Sequence, residues 1–242
     1  MSMSTESVSS EFYDTEGGLP DSLPESPFPI FKAWFDKAWE ERKTPNTNAI
    51  TLSTMHPDGY PDSRIVLCKS IEPDPGNIVF YTNYNGAKGR QIIEQPFASV
   101  VFHWDHDERQ VRIRGPITHA TEKESDAYFA SRRLESRFGA WVSDQSQPIE
   151  SREALLEKVG EIMDQLGLSP ADLMGENEVE IPRPSHWGGF RIHAQSVELW
   201  NGGVGRIHDR ARWERALTRN DSIERGAGAY DAGAWSSTRL QP

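Results

Sequence analysis

Near the C-terminal end of the chain, Arg206, His208 and Arg210 follow a glycine-rich turn in the stretch WNGGVGRIHDR, residues 200–210. Two guanidiniums, an imidazole and one large aromatic, Trp200, are poor core material and suit an anionic ligand. If the segment is extended, the two-residue period of a strand places Arg206, His208 and Arg210 on one face. A solvated edge strand after a hairpin would have the same composition, so a second cluster has to separate the two readings. One is present upstream, where Tyr128, Arg132 and Ser136 recur every four residues. On a continuous helix they share a face and form an anion clamp of hydroxyl, guanidinium and hydroxyl. A partly exposed helix face is the alternative.

Further cations sit beside β-prone runs. Arg64 and Lys69 bracket Ile65, Val66, Leu67 and Cys68. They differ in strand parity, so a regular strand sends them to opposite faces, and a bulge would be needed to bring both to one ligand. In NYNGAKGRQIIEQ, an Asn- and Gly-rich turn feeds a short helix, an arrangement that offers backbone N–H groups to phosphate, with Lys88 and Arg90 adding charge. Cys68 has apolar neighbours and is expected to be inert packing. His103, Asp105, His106, Asp107 and Glu108 are metal-ligating types, but neighbours at a polar turn do not converge on one ion unless the fold forces them to, and no metal is expected.

The elements that must position these groups are mostly strands. Alternation and β-prone composition predict strands at residues 49–55, 62–71, 77–82, 97–104, 109–117, 187–192 and 197–200. His56, Pro57, Asp58 and Gly59 form the tight connection between the first two. An amphipathic helix with Phe31, Trp34, Phe35 and Ala38 on one side is expected over 28–42. A second helix is expected over 121–129, with Thr121 and Glu124 as a reciprocal cap. A further amphipathic helix lies within 149–166, and a shorter one begins near Pro170. The pattern is mainly β with peripheral helices, a many-stranded antiparallel barrel rather than alternating strand and helix units, without a dinucleotide fingerprint.

At 242 residues the chain suits a single domain, expected at 28–242, preceded by a flexible polar and acidic arm at 1–27. A net charge of -11 argues against a surface specialised for nucleic acid or anionic membrane, so any phosphate must be met by local clusters. One cysteine allows no internal disulfide. The N-terminus lacks an apolar signal core and no long uncharged apolar run follows, so a cytoplasmic setting is expected.

Six ordered motifs, RIVLCK (64–69), VFYTN (79–83), ERQVRIRG (108–115), FGAWVSDQS (138–146), WGGFRI (187–192) and WNGGVGRIHDR (200–210), together with the terminal TRLQP, resemble pyridoxamine 5'-phosphate oxidases. The resemblance runs from the first amphipathic helix to the last residue. It implies an FMN-binding split β-barrel acting as a homodimer with its flavin sites in the subunit interface. Carried over residue by residue, it places Arg64, Ile65, Val66, Leu67, Cys68 and Lys69 along FMN, with Tyr81 and Thr82 as the next contact pair. Lys88 matches a phosphate-binding lysine, Gln110 a flavin-ring contact, Gln145 and Ser146 a further pair, and Trp200 and Arg210 the contacts from the C-terminal motif. For a phosphorylated pyridine substrate, Lys69, Tyr128, Arg132 and Ser136 match the phosphate clamp. Arg206 and His208 match the residues that hold the ring near the flavin and manage protons.

The activity so implied is oxidation of pyridoxamine 5'-phosphate and pyridoxine 5'-phosphate to pyridoxal 5'-phosphate. Molecular oxygen is the electron acceptor and hydrogen peroxide the product. One departure stands out: the family usually carries arginine directly before the phosphate-binding lysine, and this chain has Ala87. Two alternatives follow, a related FMN oxidase acting on another ring, as in phenazine formation, and a non-catalytic flavin-binding module. Retention of Lys69, Tyr128, Arg132 and Ser136 disfavours the first, and Arg206 with His208 disfavours the second.

Overall fold

Strict alternation of buried and half-buried side chains shapes β1 (Ala49–Met55). The computed structural model describes residues 18–175 and 179–242. β2 (Pro61–Glu72), β3 (Asn77–Asn83), β4 (Phe97–Trp104), β5 (Arg109–His119) and β6 (Trp187–His193) follow. Every pairing is antiparallel, and the order β5-β4-β1-β2-β3-β6 returns to β5, closing a barrel of six strands. Closure removes the free edges that an open sheet would present. β7 (Ser196–Asn201), β8 (Asp209–Glu214) and β11 (Ser236–Leu240) extend the sheet outward from β5, while β9 (Leu217–Arg219) and β10 (Tyr230–Ala232) form a separate ribbon.

β5 serves both parts. Residues 109–114 pair with β7 and residues 117–119 with β6. The switch falls at Gly115, where a Cβ would lie 1.9 Å from the His193 carbonyl oxygen. No side chain fits there, so glycine is the residue that lets the strand change partners.

The core lies inside the barrel and beneath α1 (Phe28–Glu41), whose buried residues Phe28, Phe31, Trp34 and Ala38 recur at helical spacing. Phe31 meets Phe102 edge-on at 5.0 Å. Each such buried aromatic contributes about 1.5–3 kcal/mol. α2 (Ala87–Glu94) packs beside β1. α3 (Glu122–Ala130) starts with the Thr121 and Glu124 capping box expected from the sequence. α4 (Leu134–Val142), α5 (Arg152–Leu166) and α6 (Pro170–Leu173) contribute to a second apolar cluster around Phe129, Phe138, Leu168, Ile181 and Trp187.

Two expectations need correction. A continuous helix carrying Tyr128, Arg132 and Ser136 does not form, because α3 ends at Ala130 and Arg133 is extended with ψ 148 before α4 begins. Ser131 Oγ donates to the Tyr128 carbonyl oxygen at 2.8 Å, a local bond that competes with the helix ladder at the break. Nor do Arg206, His208 and Arg210 alternate along a strand. Gly205 and Arg206 take left-handed φ of 66° and 65° in a single 3-10 turn, and β8 begins only at Asp209.

Of the expected arm, residues 1–17 lie outside the described residues. The remainder is held against β8 of the sheet extension: Leu19 N–H donates to Asp209 Oδ2 at 2.7 Å, and Trp213 Nε1 donates to the Pro24 carbonyl at 2.9 Å. No helix among the described residues is long and apolar enough to cross a membrane.

Arg191 joins three elements from inside. It is buried on β6, and its Nη2 lies 2.7 Å from Glu72 Oε1 on β2 and 2.7 Å from Glu124 Oε1 on α3. The hydrogen bonds to Glu124 from Arg191 and then Thr121 outweigh burial and hold its carboxyl at about 2 rather than 4.5. A lowered carboxyl pKa contributes stability that is present above pH 4.5 and lost as the pH falls toward 2. Arg191→Met leaves two carboxylates facing each other without their cation. Because both are partly exposed, the expected loss in urea-measured unfolding free energy at pH 7 is about 2–3 kcal/mol. The gap from wild type should narrow below pH 4.5; equal stability at pH 7 would reject a stabilising role for Arg191.

Candidate active site

The register of β2 against β3 shifts between Cys68 and Ser70. Lys69 sits at this bulge and, like Ile65 and Leu67 of the same strand parity, lines a cavity of about 660 Å³ bounded by β2, β3, α3, α4 and the loop after α4. Ile65, Val66, Leu67, Lys69, Tyr81, Thr82, Lys88 and Gln145 line it together with Tyr128, Arg132 and Ser136. Although the helix breaks between them, the last three still line the one cavity, on either side of the tight Phe129 to Arg132 turn that joins α3 to α4.

One end of the cavity is built for an anion around Lys88. Its Nζ donates to Thr82 Oγ1 at 3.1 Å and to Gln145 Oε1, with no carboxylate partner among the described residues. Burial, and then the neighbouring Arg64, pull its pKa down to about 8. The first intrahelical bond of α2 runs from Arg90 N–H to the Gly86 carbonyl. The N–H groups of residues 87–89 therefore precede the helix ladder, and such groups commonly meet anions. Ala87 is the first residue of that helix and adds no charge.

The other end is walled by aromatics. Tyr81, Tyr128 and Trp187 are nearly parallel, with Tyr81 and Tyr128 ring centroids 4.1 Å apart. Lys69 Nζ lies 5.8 Å over Tyr128 and the Arg132 guanidinium 4.6 Å over Trp187. Arg132 Nη1 is buried without a hydrogen-bond partner, and burial lowers the pKa of the group. An unpaired buried cation is costly unless a ligand completes it.

Other expected residues lie elsewhere. Arg64 does not follow Lys69 into the cavity: its guanidinium is held by Asp62 Oδ2 and Thr54 Oγ1, each at 2.5 Å, and by Gln91 Oε1 at 3.1 Å. The Cys68 side chain points into the core, and burial pushes its thiol up to about 12. Ser146 is exposed with φ 67° in the turn after Gln145. Gln110, Trp200 and Arg210 form one row across β5, β7 and β8 on the outer face of the sheet. Arg210 donates there to Glu198 Oε1 at 2.8 Å, and the His208 ring lies 4.7 Å from that of Trp200. With the exposed Arg206, these residues are not among the described residues that line the cavity.

Sequence reasoning passed over Trp187, reading it only as the start of a strand. A signal was present in the two glycines that follow it. A Cβ on Gly189 would lie 2.8 Å from Tyr81 Cε1, so the aromatic wall can pack on β6 only where side chains are missing. Of the metal-ligating types at 103–108, His106 and Asp107 approach Glu41 of α1, with ligand atoms within 4.8 Å of one another. Lys37 and Lys43 already pair with those two carboxylates, at 3.1 and 2.9 Å.

A closed six-stranded antiparallel barrel with a lateral cationic cleft is a split β-barrel of the FMN-binding type. The sequence pattern described as pyridoxamine 5'-phosphate oxidase matches residues 35–165, and that described as pyridoxine 5'-phosphate oxidase C-terminal dimerisation region matches residues 187–242. The chain belongs to the pyridoxine/pyridoxamine 5'-phosphate oxidase family. It is 46% identical over 185 residues to the pyridoxine/pyridoxamine 5'-phosphate oxidase of Gloeothece citriformis, covering 76% of this chain and 80% of that one. It is 41% identical over 223 residues to the enzyme of that name from Paracoccus denitrificans, covering 90% and 96%. Among solved structures, PhzG from Burkholderia lata 383 in complex with tetrahydrophenazine-1-carboxylic acid superposes with a TM-score of 0.74 at 27% identity, covering 92% of this chain and 95% of that one. A pyridoxamine 5'-phosphate oxidase-related, FMN binding protein from Nostoc punctiforme has a TM-score of 0.60 at 18% identity, covering 88% and 97%, a likeness of fold.

Arg206 sits in the left-handed region, where a side chain costs about 1–2 kcal/mol that glycine avoids. Arg206→Gly and Arg206→Ala remove the same guanidinium and differ in this strain. The glycine variant should be the more stable by about 1 kcal/mol in urea unfolding; equal or reversed stabilities would show that the turn relaxes when Arg206 is lost.

Proposed function

We propose that this chain binds FMN and oxidises pyridoxamine 5'-phosphate and pyridoxine 5'-phosphate to pyridoxal 5'-phosphate, with molecular oxygen as electron acceptor and hydrogen peroxide as product. The observation that carries the reading is one cavity with two anion-adapted ends, Lys88 at the start of α2 and Arg132 with its unpartnered Nη1. One end suits the phosphate of a cofactor and the other that of a substrate. Relatives at 41–46% identity carry this enzyme's name. A cytoplasmic setting, suggested by the single buried cysteine, belongs to the same proposal.

The residues present fit FMN. Ile65, Val66 and Leu67 give a strand edge for a flat ring, while Lys88, Thr82 and Gln145 provide the polar end. The N–H groups of residues 87–89 are the remaining donors there, where Ala87 adds no side-chain charge, and Arg64 stays tied to Asp62 outside the cavity. FMN held there would supply two-electron redox chemistry with oxygen as the final acceptor, and the amine substrate would in addition consume one water and release ammonia. Lys69 and Arg132 neutralise the substrate phosphate, with the Tyr128 and Ser136 hydroxyls completing its hydrogen bonds. Fixing the phosphate fixes the distance of the ring from the flavin, which is the protein's main contribution to rate.

Gln110, Trp200, Arg206, His208 and Arg210 enter from a second copy in this reading. Gln110, Trp200 and Arg210 occupy the same outer sheet face onto which Ile65 and Leu67 project, His208 packs on Trp200, and all five residues belong to β5 or to the region matched as a dimerisation region. A homodimer with two-fold symmetry presents this face of each copy to the cavity of the other. His208 Nδ1 accepts from Gly203 N–H at 3.2 Å. The neutral imidazole then carries its proton on Nε2, the atom left to exchange a proton with the substrate.

The likeness to PhzG favours a second reading, oxidation of a carboxylated ring without a phosphate. Oxygen consumption by the purified flavoprotein separates the two, using pyridoxine and pyridoxamine phosphates, their dephosphorylated forms and a dihydrophenazine carboxylate. Wild type should prefer the phosphates, and Arg132→Ala should lose about 2–5 kcal/mol of transition-state binding, roughly 30-fold or more in kcat/KM, for those substrates alone. Preference for the carboxylate, or an unchanged kcat/KM in the variant, rejects the assignment. Sharing of sites between copies has its own test. Arg132→Ala and Arg206→Ala are each expected to be nearly inactive, yet exchanged heterodimers contain one intact site, so mixing should restore about a quarter of wild-type activity. Mixed dimers that stay inactive would place each site within one chain.

A further inference from the structure

Arg132 is the central cation of the proposed phosphate clamp, and no carboxylate pairs with it among the described residues. Its side chain is held instead by ring faces, with the guanidinium 4.6 Å over the Trp187 indole and 5.7 Å over Phe129. Trp187 is itself fixed. It is 6% exposed, lies within 14° of the planes of Tyr81 and Tyr128, and meets Phe129 edge-on at 5.2 Å. Its carbonyl accepts from Arg183 Nη1 at 2.5 Å and its N–H donates to the Pro184 carbonyl at 3.0 Å.

The chemistry of the seat matters. A carboxylate in this place would hold Arg132 as firmly but would neutralise it and compete with an incoming phosphate for the same N–H groups. An indole attracts the cation through its face and takes none of its donors. We propose that Trp187 is a positioning residue for the substrate: its ring seats the Arg132 guanidinium in the cavity wall without neutralising it, so that the charge and the N–H donors of Arg132 are left for a phosphate dianion. The identity of that substrate rests on the function proposed above, whereas the seating of Arg132 does not.

The two can be tested apart in the flavin-loaded protein. Trp187→Leu removes the π face, and Trp187→Phe keeps a smaller one. Three quantities are read: the KM and the kcat for pyridoxine 5'-phosphate, and the dissociation constant for inorganic phosphate by titration calorimetry. In Trp187→Leu both KM and the phosphate constant should rise by a common factor of about tenfold, consistent with a desolvated cation–π contact. The kcat should stay within about twofold, the pattern of lost uniform binding. Trp187→Phe should recover most of the loss. Coupling is read from Arg132→Lys, whose compact ammonium cannot lie flat on the indole. The double variant Arg132→Lys with Trp187→Phe should bind phosphate no more weakly than Arg132→Lys alone, and this arm holds even where the leucine variant fails to load flavin. Full additivity of the two losses overturns the proposal, as does a Trp187→Leu protein with wild-type phosphate affinity or one that loses kcat at constant KM. If wild type binds inorganic phosphate but oxidises no B6 phosphate, the function reading fails while the phosphate titrations still decide the role of Trp187.

Discussion

Barrel closure depends on a contact that only a missing side chain permits. β5 leaves β7 and joins β6 within two residues, and the backbone of the β6 to β7 turn must come against it at Gly115. Any Cβ there would overlap the His193 carbonyl, so β6 could not reach β5 and β3 together. β6 is the strand that carries Trp187, Gly189 and Arg191, and through them the aromatic wall and the buried ion cluster. A constraint at the bottom of the sheet therefore fixes the geometry of the site at its side.

The chain handles its buried cations in two distinct ways. Arg191 is satisfied by Glu72 and Glu124, and Arg183 by Glu122 and Asp126, all between elements that the fold must hold together. Lys88 and Arg132 face the cavity without a carboxylate among the described residues, and desolvation depresses both. Such groups cost stability where they stay unpaired, and an anion bound at either end would supply the missing charge. A net charge of -11 says nothing of this local excess, because a sum over the chain does not record where its charges sit. Arg64 is intermediate: it is close enough to lower the Lys88 pKa but is tied to Asp62, so an anion at the start of α2 has to compete with a carboxylate for its help.

Much of this was legible because local rules were obeyed. Period-two burial gave β1 and β4, the Thr121 and Glu124 pair gave the start of α3, and the apolar spacing of Phe31, Trp34 and Ala38 gave α1. The fold and the family were readable from ordered motifs for the same reason. Where the reading failed, a non-local or unusual backbone state had taken over. Spacing by four suggested one helix for Tyr128, Arg132 and Ser136; the structure reaches the same convergence by breaking that helix, which no periodicity encodes. The alternation of Arg206, His208 and Arg210 was overridden by two consecutive left-handed residues. Trp187 acquires its place from pairing with β3, across a long separation in sequence, and only its glycine neighbours hinted at close packing.

The outer face of the sheet has the character of a surface that is covered. A single row crosses seven strands through Ile65, Thr51, Val101, Arg112, Glu198, Arg212 and Thr238, mixing short or apolar side chains with a paired charge cluster. Ile65 and Phe97 remain 63% and 61% exposed on β2 and β4, a costly arrangement for a face left in water. Beside this face, Gly203 N–H fixes the His208 ring and the left-handed pair at 205 and 206 fixes the course of the Arg206 backbone within one chain. A loop whose shape is set before association loses little entropy when it docks, so the groups it carries can be delivered to a neighbouring cavity in register. In the proposed site shared between two copies, closure of the barrel and completion of the site are separate steps. The first is satisfied by each chain alone through Gly115, and the second follows from the exposed face that the closed barrel still has to bury.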